Sequence, residues 1–459
     1  MYEFYDREIT YSLGAEQASG VKTVLSGSFS LSSVFTVSEL AMATIVAAAK
    51  ELAALVGKTT VSVDRFATEL WCSSTIRPEG WALPNPWDPV AGNYRTADGW
   101  IRLHTNVPAH LAAALRVLGT KPERSQVAAA TLAWSGRELE QAVNDAGGVA
   151  AHMVGLSEWA AHPQGEAVAA EPLISWSPHH ATSTRLPSFQ GNLCGLRVLD
   201  LTRVLAGPVA TRFLAGFGAE VLRIDPPDWA EDGLEPEVTI GKRCAGLDLR
   251  NPEDRDRFEM LLAQAHVLVH GYRPGALDGL GYDAMRRRQI NPSLVDVSLS
   301  AYGWTGPWHT RRGFDSVLQV KTGLAQEAMH RTGANCPVAL PVQVLDHGTG
   351  YLMAAAVLRA LRLLVTDGKP RSARLSLART AQLLIEGGVR DTIIKPTHNT
   401  HITCLPETTH WGPARRIDFP VKLDCEGPRW RYQAAPFRSA QAYWPDDVNR
   451  IGIPGRSKP

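Results

Sequence analysis

Between residues 37 and 55 apolar side chains recur at helical spacing, and Gly57 with Lys58 ends the run, so the pattern predicts a buried helix. The segment TVSVDRFATELW follows, then a proline-rich stretch, RPEGWALPNPWDP, that reads as a linker or a domain entrance. Residues 92–106 alternate apolar and polar positions around Ala97-Asp98-Gly99, the pattern of a hairpin, and helical spacing returns over 107–118 and 136–146. A second Pro- and Ser-rich tract, SWSPHHATSTRLPSFQGN, puts a domain boundary near residue 190.

Beyond that boundary the pattern changes. LRVLD, AEVLRID, HVLVHG and LVDVSLS are continuous apolar runs separated by helical stretches, as expected of parallel strands buried on both faces. The predicted class is α/β, with a doubly wound (Rossmann-like) parallel sheet and a smaller α+β domain. Four units are expected: a helical segment over 1–80, the small α+β domain over 81–190, the Rossmann-like domain over 191–395 and an irregular extension over 396–459. A faint repeat sets Met353 over Met42, though two unrelated Ala-rich helices would give the same similarity.

Length and charge narrow the class. A chain of 459 residues exceeds one ordinary core, so two or three compact units are expected. With 47 basic and 46 acidic side chains, the net charge of +1 gives no long-range field for nucleic acid or membrane, so an anionic ligand must be held by local groups. Cys72, Cys194, Cys244, Cys336, Cys404 and Cys425 are scattered without a CxxC pair, which predicts reduced thiols and no metal site. The opening MYEFYDREIT lacks a signal-peptide pattern, and charges interrupt the Ala-rich runs, so a cytoplasmic location is expected.

LTRVLAGPVATRFLAGFGAEVLRID carries no GxGxxG between the first two strands, which disfavours nicotinamide or flavin. Asp225 closes the second strand, where an acid meets a ribose in some nucleotide sites and is a solvated turn residue in most others.

The blocks LRVLDLTRVLAGPVATRFLAGFGAEVLRID, GKRCAGLDLRNPEDRDRF, VLVHGYRPGALDGLGYD, NPSLVDVSLSAYGWTGPW and RRGFDSVLQVKTGLAQ resemble, in order, those of family III CoA-transferases, the CaiB/BaiF group. That group includes formyl-CoA and carnitine CoA-transferases and alpha-methylacyl-CoA racemase. The resemblance implies coenzyme A as a thioester substrate, with Val204, Leu205, Ala206, Tyr272 and Arg273 lining its site. Lys242, Arg243, Arg250 and Arg273 fall in or beside loops that follow strands, as phosphate contacts would, although each alone could be a solvated charge. Tyr272 offers a flat face to an adenine, and Gly271 and Gly275 let backbone approach closely, unless GYRPGAL is simply a turn.

VQVLDHGTGYLMAA aligns with the family segment in which an Asp opens a helix, making Asp346 the implied nucleophile. An Asp there could equally be an N-cap, and a helix N-terminus is expected to keep its carboxylate ionised. The implied reaction moves CoA from an acyl-CoA to a carboxylate acceptor through aspartyl anhydride and aspartyl-CoA, without metal or redox cofactor. Racemases of the family carry His where Phe314 stands; with His347 the only neighbour, transferase is preferred to racemase. A family member that binds acyl-CoA without turnover is the other alternative.

WDPVAGNYRTADGWIRLHTNVPAHLAAALRVLG resembles the family's small domain but precedes the CoA-binding half, as in a permuted chain or two fused, trimmed copies. Under fusion, the position aligned with Asp346 falls near Phe35, leaving one active site per chain; a homodimer or packing of two halves within one chain both stay open. His398, His401 and His410 are irregularly spaced and predict a surface loop rather than a metal site.

Overall fold

The computed structural model describes residues 1–14, 20–180, 186–231, 233–390 and 403–445. Its largest sheet has seven strands in the spatial order Lys242–Gly246, Glu220–Asp225, Arg197–Leu201, Val267–His270, Val295–Ser300, Arg371–Ser376, Ser175–Pro178. The first six are parallel, and the last is antiparallel. Numbered along the chain from Arg197, the parallel strands run 3-2-1-4-5-6, an order of the doubly wound class expected from the apolar runs. The order reverses between Arg197–Leu201 and Val267–His270, and such a switch point opens a crevice at the carboxyl ends of the two strands. The loops beginning at Thr202 and Gly271 leave from there.

GKRCAG, expected beside a loop, forms the edge strand Lys242–Gly246, and its Lys242 and Cys244 point into the core.

The helix Val344–Asp367 is long and apolar enough to cross a membrane by length and composition, and is mostly buried in the protein. It packs between the helices Val37–Val56 and Ala206–Gly216. Gly350 permits the second contact, because a Cβ there would lie 2.4 Å from the Ala206 carbonyl oxygen.

The two segments of the faint repeat fold into the same order of elements, helix, strand and helix. Val37–Val56 ends on Gly57 (φ 75°) and leads into the strand Thr60–Asp64 and a helix capped by Asp64; Val344–Asp367 ends on Gly368 (φ 70°) and leads into Arg371–Ser376 and a helix capped by Ser376. Phe35, aligned with Asp346, is buried.

The small domain forms as its hairpin pattern predicts. Gly92–Arg95 pairs with Trp100–Leu103, which pairs with Ala150–His152, and Val90, Tyr94, Ile101, Leu139 and Val143 share a core with the surrounding helices.

Two expected boundaries are redrawn. Ser175–Pro178, assigned to the small domain, adds an edge to the large sheet. The extension expected to be irregular contains the strands Cys404–Thr409, Gly412–Ile417 and Val421–Leu423, which pair back to Ile76–Pro78 and Thr60–Asp64. Glu237 fastens this arrangement, accepting from Thr75 N (2.8 Å) and Ile76 N (3.2 Å) while Arg416 and Arg212 lie within ion-pair distance. Burial opposes that charge, but the two guanidiniums hold the carboxyl below its usual range. His410 is exposed in the turn between two of these strands, whereas His398 and His401 lie outside the described residues.

Candidate active site

The switch-point crevice is a groove of about 470 Å³. Val204, Ala206, Gly271, Tyr272 and Arg273 line it together with Asp346, so the structure gathers five of the ten proposed CoA contacts around the proposed nucleophile. Leu205 lines an adjoining pocket of about 280 Å³ that also reaches Asp346. Val204 has φ 63°, a conformation a β-branched residue rarely adopts, and its N–H donates to Glu231 (2.6 Å). Strain of about 1–3 kcal/mol is thereby held in the loop before the helix Ala206–Gly216.

Four other expected contacts are placed elsewhere. Lys242 is fully buried beneath the groove, where Nζ donates to Asp200 (3.1 Å), Thr211 (2.6 Å) and the Pro208 carbonyl (3.0 Å); it ties strand to helix and reaches no ligand. Burial pushes its ammonium down to about 8, against the pull of Asp200. Asp225 is also fully buried, chelated by Arg223 (2.9 Å), so it is not free for a ribose. Arg243 donates to the carbonyls of Tyr443 (2.6 Å) and Gln441 (3.1 Å) and stacks on Tyr443, pinning the C-terminal segment. Arg250 is exposed and paired with Asp248 (2.8 Å), away from the groove lining. Which way each of these side chains turns is not visible in sequence spacing alone.

The groove's cationic character comes from other arginines. Arg203 lies over the rings of Trp229 (4.7 Å) and Tyr272 (5.1 Å) and donates to the Tyr272 hydroxyl (3.1 Å), so it restrains the Tyr272 side chain. Arg273 and Arg312 both line the groove, and neither has a carboxylate partner among the described residues. Burial and then Arg312 lower the Arg273 guanidinium, as expected of paired cations suited to a phosphate. Arg203 sits within the LTRVLAGP block and Arg312 within RRGFD, so both were legible as motif neighbours.

Asp346 occupies the first turn of Val344–Asp367 and is 8% exposed. Its N–H donates to Asp315 (3.0 Å), whose carboxylate also accepts from Gln319 (2.5 Å) and the Leu345 N–H. Burial, then the charge of Asp315, raises the Asp346 pKa well above the carboxylate range, which corrects the expectation that the helix terminus keeps it ionised. A helix N-terminus contributes about 0.3–1 kcal/mol, less than a buried like charge beside it costs. Asp315, with three donors to its carboxylate, is the member better able to carry the pair's negative charge.

Phe314 separates this pair from two small-domain histidines that sequence order concealed. The His104 ring stacks on Phe314 at 3.7 Å and the His110 ring meets it edge-on at 5.9 Å, so His347 is not the sole neighbouring imidazole. Burial lowers His104 to about 3 and His110 to about 4, leaving both neutral at physiological pH. His347 lines the adjoining pocket, and burial lowers it to about 3. Among the described residues no group of three His, Cys, Asp or Glu side chains is placed to hold a metal ion.

The sheet is doubly wound with a carboxyl pair at its switch-point groove, and residues 193–402 match the family model described as CoA-transferase family III. The second half of the chain is thus similar to that family, as its sequence blocks indicated. An acyl-CoA transferase of Fusarium pseudograminearum is 30% identical over 233 residues, covering 46% of this chain and 50% of that protein. An acetyl-coenzyme A transferase of Hypoxylon pulicicidum is 35% identical over 213 residues (45% and 35%), and a formyl-CoA:oxalate CoA-transferase of Bradyrhizobium diazoefficiens is 32% identical over 190 residues (39% and 44%). The chain thus spans about half the length, or less, of the curated relatives it matches.

Proposed function

We propose that the protein is a CoA-transferase that moves CoA between an acyl-CoA thioester and a carboxylic acid, with Asp346 as the nucleophile. The observation that carries this reading is the position of Asp346, on the wall common to the Arg273-Arg312 groove and the pocket beneath the small domain. A thioester whose nucleotide arm follows the groove presents its carbonyl to that carboxyl.

The Asp346 carboxylate attacks the thioester carbonyl and expels CoA thiolate, leaving a mixed aspartyl-acyl anhydride. Thiolate returns to the aspartyl carbonyl, the released acid departs as carboxylate, and an aspartyl-CoA thioester remains. The acceptor carboxylate then attacks this thioester, again expelling thiolate, which takes the new acyl carbonyl and restores Asp346. No metal, nicotinamide or flavin enters these steps. Because burial and Asp315 favour protonated Asp346, a proton must leave before attack, and Asp315 sets how readily it does.

Incubation with acetyl-CoA followed by hydroxylamine or borohydride trapping, read by peptide mass spectrometry, tests the assignment. Label on the peptide containing Asp346 is expected. Acyl-CoA binding without label at any acid would favour a binding protein without turnover, and label on Asp315 would move the nucleophile.

A further inference from the structure

The two repeated segments correspond position by position. Setting Met353 over Met42 also sets Gly368 over Gly57, Thr349 over Ser38, Thr380 over Glu69 and Arg362 over Glu51. In the first segment the Ser38 hydroxyl donates to the Glu69 carboxylate; in the second, the hydroxyls of Thr349 and Thr380 share a hydrogen bond of 2.6 Å. Each bond ties the start of the long helix to the short helix that follows the strand, so the segments keep the same internal contact as well as the same order of elements.

The segments also face each other. Val37–Val56 and Val344–Asp367 pack together, and across their seam Arg362 Nη1 donates to Glu51 (2.7 Å), whose side chain is 3% exposed. Glu51 and Arg362 hold the same place in the two copies. A contact between equivalent places is the mark of a two-fold axis, the symmetry by which identical subunits most often associate. Here one chain supplies both copies, and the face is covered without a second molecule.

Where Asp346 stands in one copy, the other has Phe35, which is 1% exposed and bridges to Val389. The helix Tyr2–Ser12 closes over that place: Tyr5 is fully buried, its hydroxyl bonds to Thr36, and a Cβ on Gly387 would lie 2.0 Å from the same hydroxyl oxygen. The first copy instead furnishes wall to the Asp346 pocket, with Trp71 and Ser73 at the end of its short helix and Trp87, His104 and Asn106 from the small domain that follows. The halves are interwoven as well. Ser175–Pro178 joins the sheet beside Arg371–Ser376, the Gly191 N–H donates to the Val56 carbonyl (2.9 Å), and Val421–Leu423 returns to pair with Thr60–Asp64.

We propose that the first half is a copy that has lost its carboxyl and acts as a built-in partner, so that the active unit is one chain whose single site is completed in cis. The assembly stands on the packing alone; reading it by turnover rests on the CoA-transfer proposal.

Two measurements test this. Sedimentation equilibrium of the full chain from about 0.1 to 50 µM, with and without acetyl-CoA, should give the 49.9 kDa of one chain throughout. Ser73 is exposed and lines the pocket, so Ser73→Trp should obstruct it, lowering kcat/KM for CoA transfer about tenfold or more while the melting temperature holds. Chains carrying Ser73→Trp and chains carrying Asp346→Asn, co-expressed with different tags, are altered in opposite halves. With sites completed in cis, the mixture transfers CoA no faster than the two variants measured separately. With halves exchanged between chains, each hybrid dimer holds one intact site, and about a quarter of wild-type activity returns. That recovery, a dimer mass across the range, or full activity in Ser73→Trp would overturn the proposal. A monomer that transfers CoA to no acid would leave the built-in partner standing and overturn the transferase reading.

Discussion

Replacing Asp315 by Asn should move the pH dependence of CoA transfer to lower pH. In the wild type the Asp346 carboxyl is raised by burial and by the Asp315 charge, while the Asp346 N–H donates to Asp315 at 3.0 Å. Two unit charges on such adjoining side chains, about 5 Å apart at an effective dielectric of about 20, repel by about 3 kcal/mol, equivalent to about two pH units. Asn keeps an oxygen to accept from the Asp346 N–H but carries no charge, so the helix turn is retained while the repulsion is lost. Profiles of kcat/KM between pH 5 and 9 should show a rising limb in both proteins, displaced downward by one to two units in Asp315→Asn. Stability gives an independent reading. A raised carboxyl pKa means the folded protein holds its proton more tightly than the unfolded chain, so this stabilisation is complete below about pH 4 and is lost as pH rises through the raised value. Asp315→Asn removes the part of that loss that comes from the Asp315 charge, and its melting temperature should fall less between pH 4 and 7 than that of wild type. An unshifted rate profile would refute the electrostatic coupling, and an upward shift would reverse its sign.

Asp346→Asn should fold and bind CoA while transfer falls by about 1,000-fold or more, measured by single-turnover mass spectrometry. Arg273→Glu should weaken CoA binding about tenfold or more in calorimetry, whereas Arg243→Ala, which frees the carbonyls of Tyr443 and Gln441, should lower the melting temperature without a comparable change in affinity. Glu237→Ala should destabilise by about 3–5 kcal/mol in chemical denaturation, since it leaves Arg212 and Arg416 buried without their shared carboxylate. Exchange of the alpha proton of a 2-methylacyl-CoA in heavy water should be far slower than transfer, because His104 and His110 are poor bases and Phe314 has none; comparable rates would revive the racemase alternative.

Four of the six parallel strands and the doubly wound class were legible because strands buried on both faces leave a continuous apolar signal, whereas Lys242–Gly246 and Arg371–Ser376 carry no such run. The groove was legible for the same reason: a switch point follows from topology, and LTRVLAGP and GYRPGAL leave adjacent strands there. Lys242, Asp225 and Arg243 were misplaced because a motif records which residues are near a loop, not which way a side chain turns. His104 and His110 share with Asp346 the spaces they line from more than two hundred residues earlier in the chain, so no local pattern could join them to it. The raised Asp346 pKa is not legible in the sequence because it depends on burial and then on Asp315, both created by the meeting of two helices. The three strands after residue 403 carry few apolar runs and exist through pairing with residues 60–64 and 76–78.

That last pairing sets a timetable for biosynthesis. Thr60–Asp64 emerges from the ribosome early, yet its neighbour on one side, Val421–Leu423, is made 359 residues after Asp64. At about 5–20 residues per second the strand waits about 20–70 s with an open edge, beside the apolar helix Val37–Val56, whose main partner Val344–Asp367 is nearly as late. The nascent first half must therefore be shielded until the second arrives, and co-translational folding of this chain should depend on chaperone supply more than its size alone would suggest.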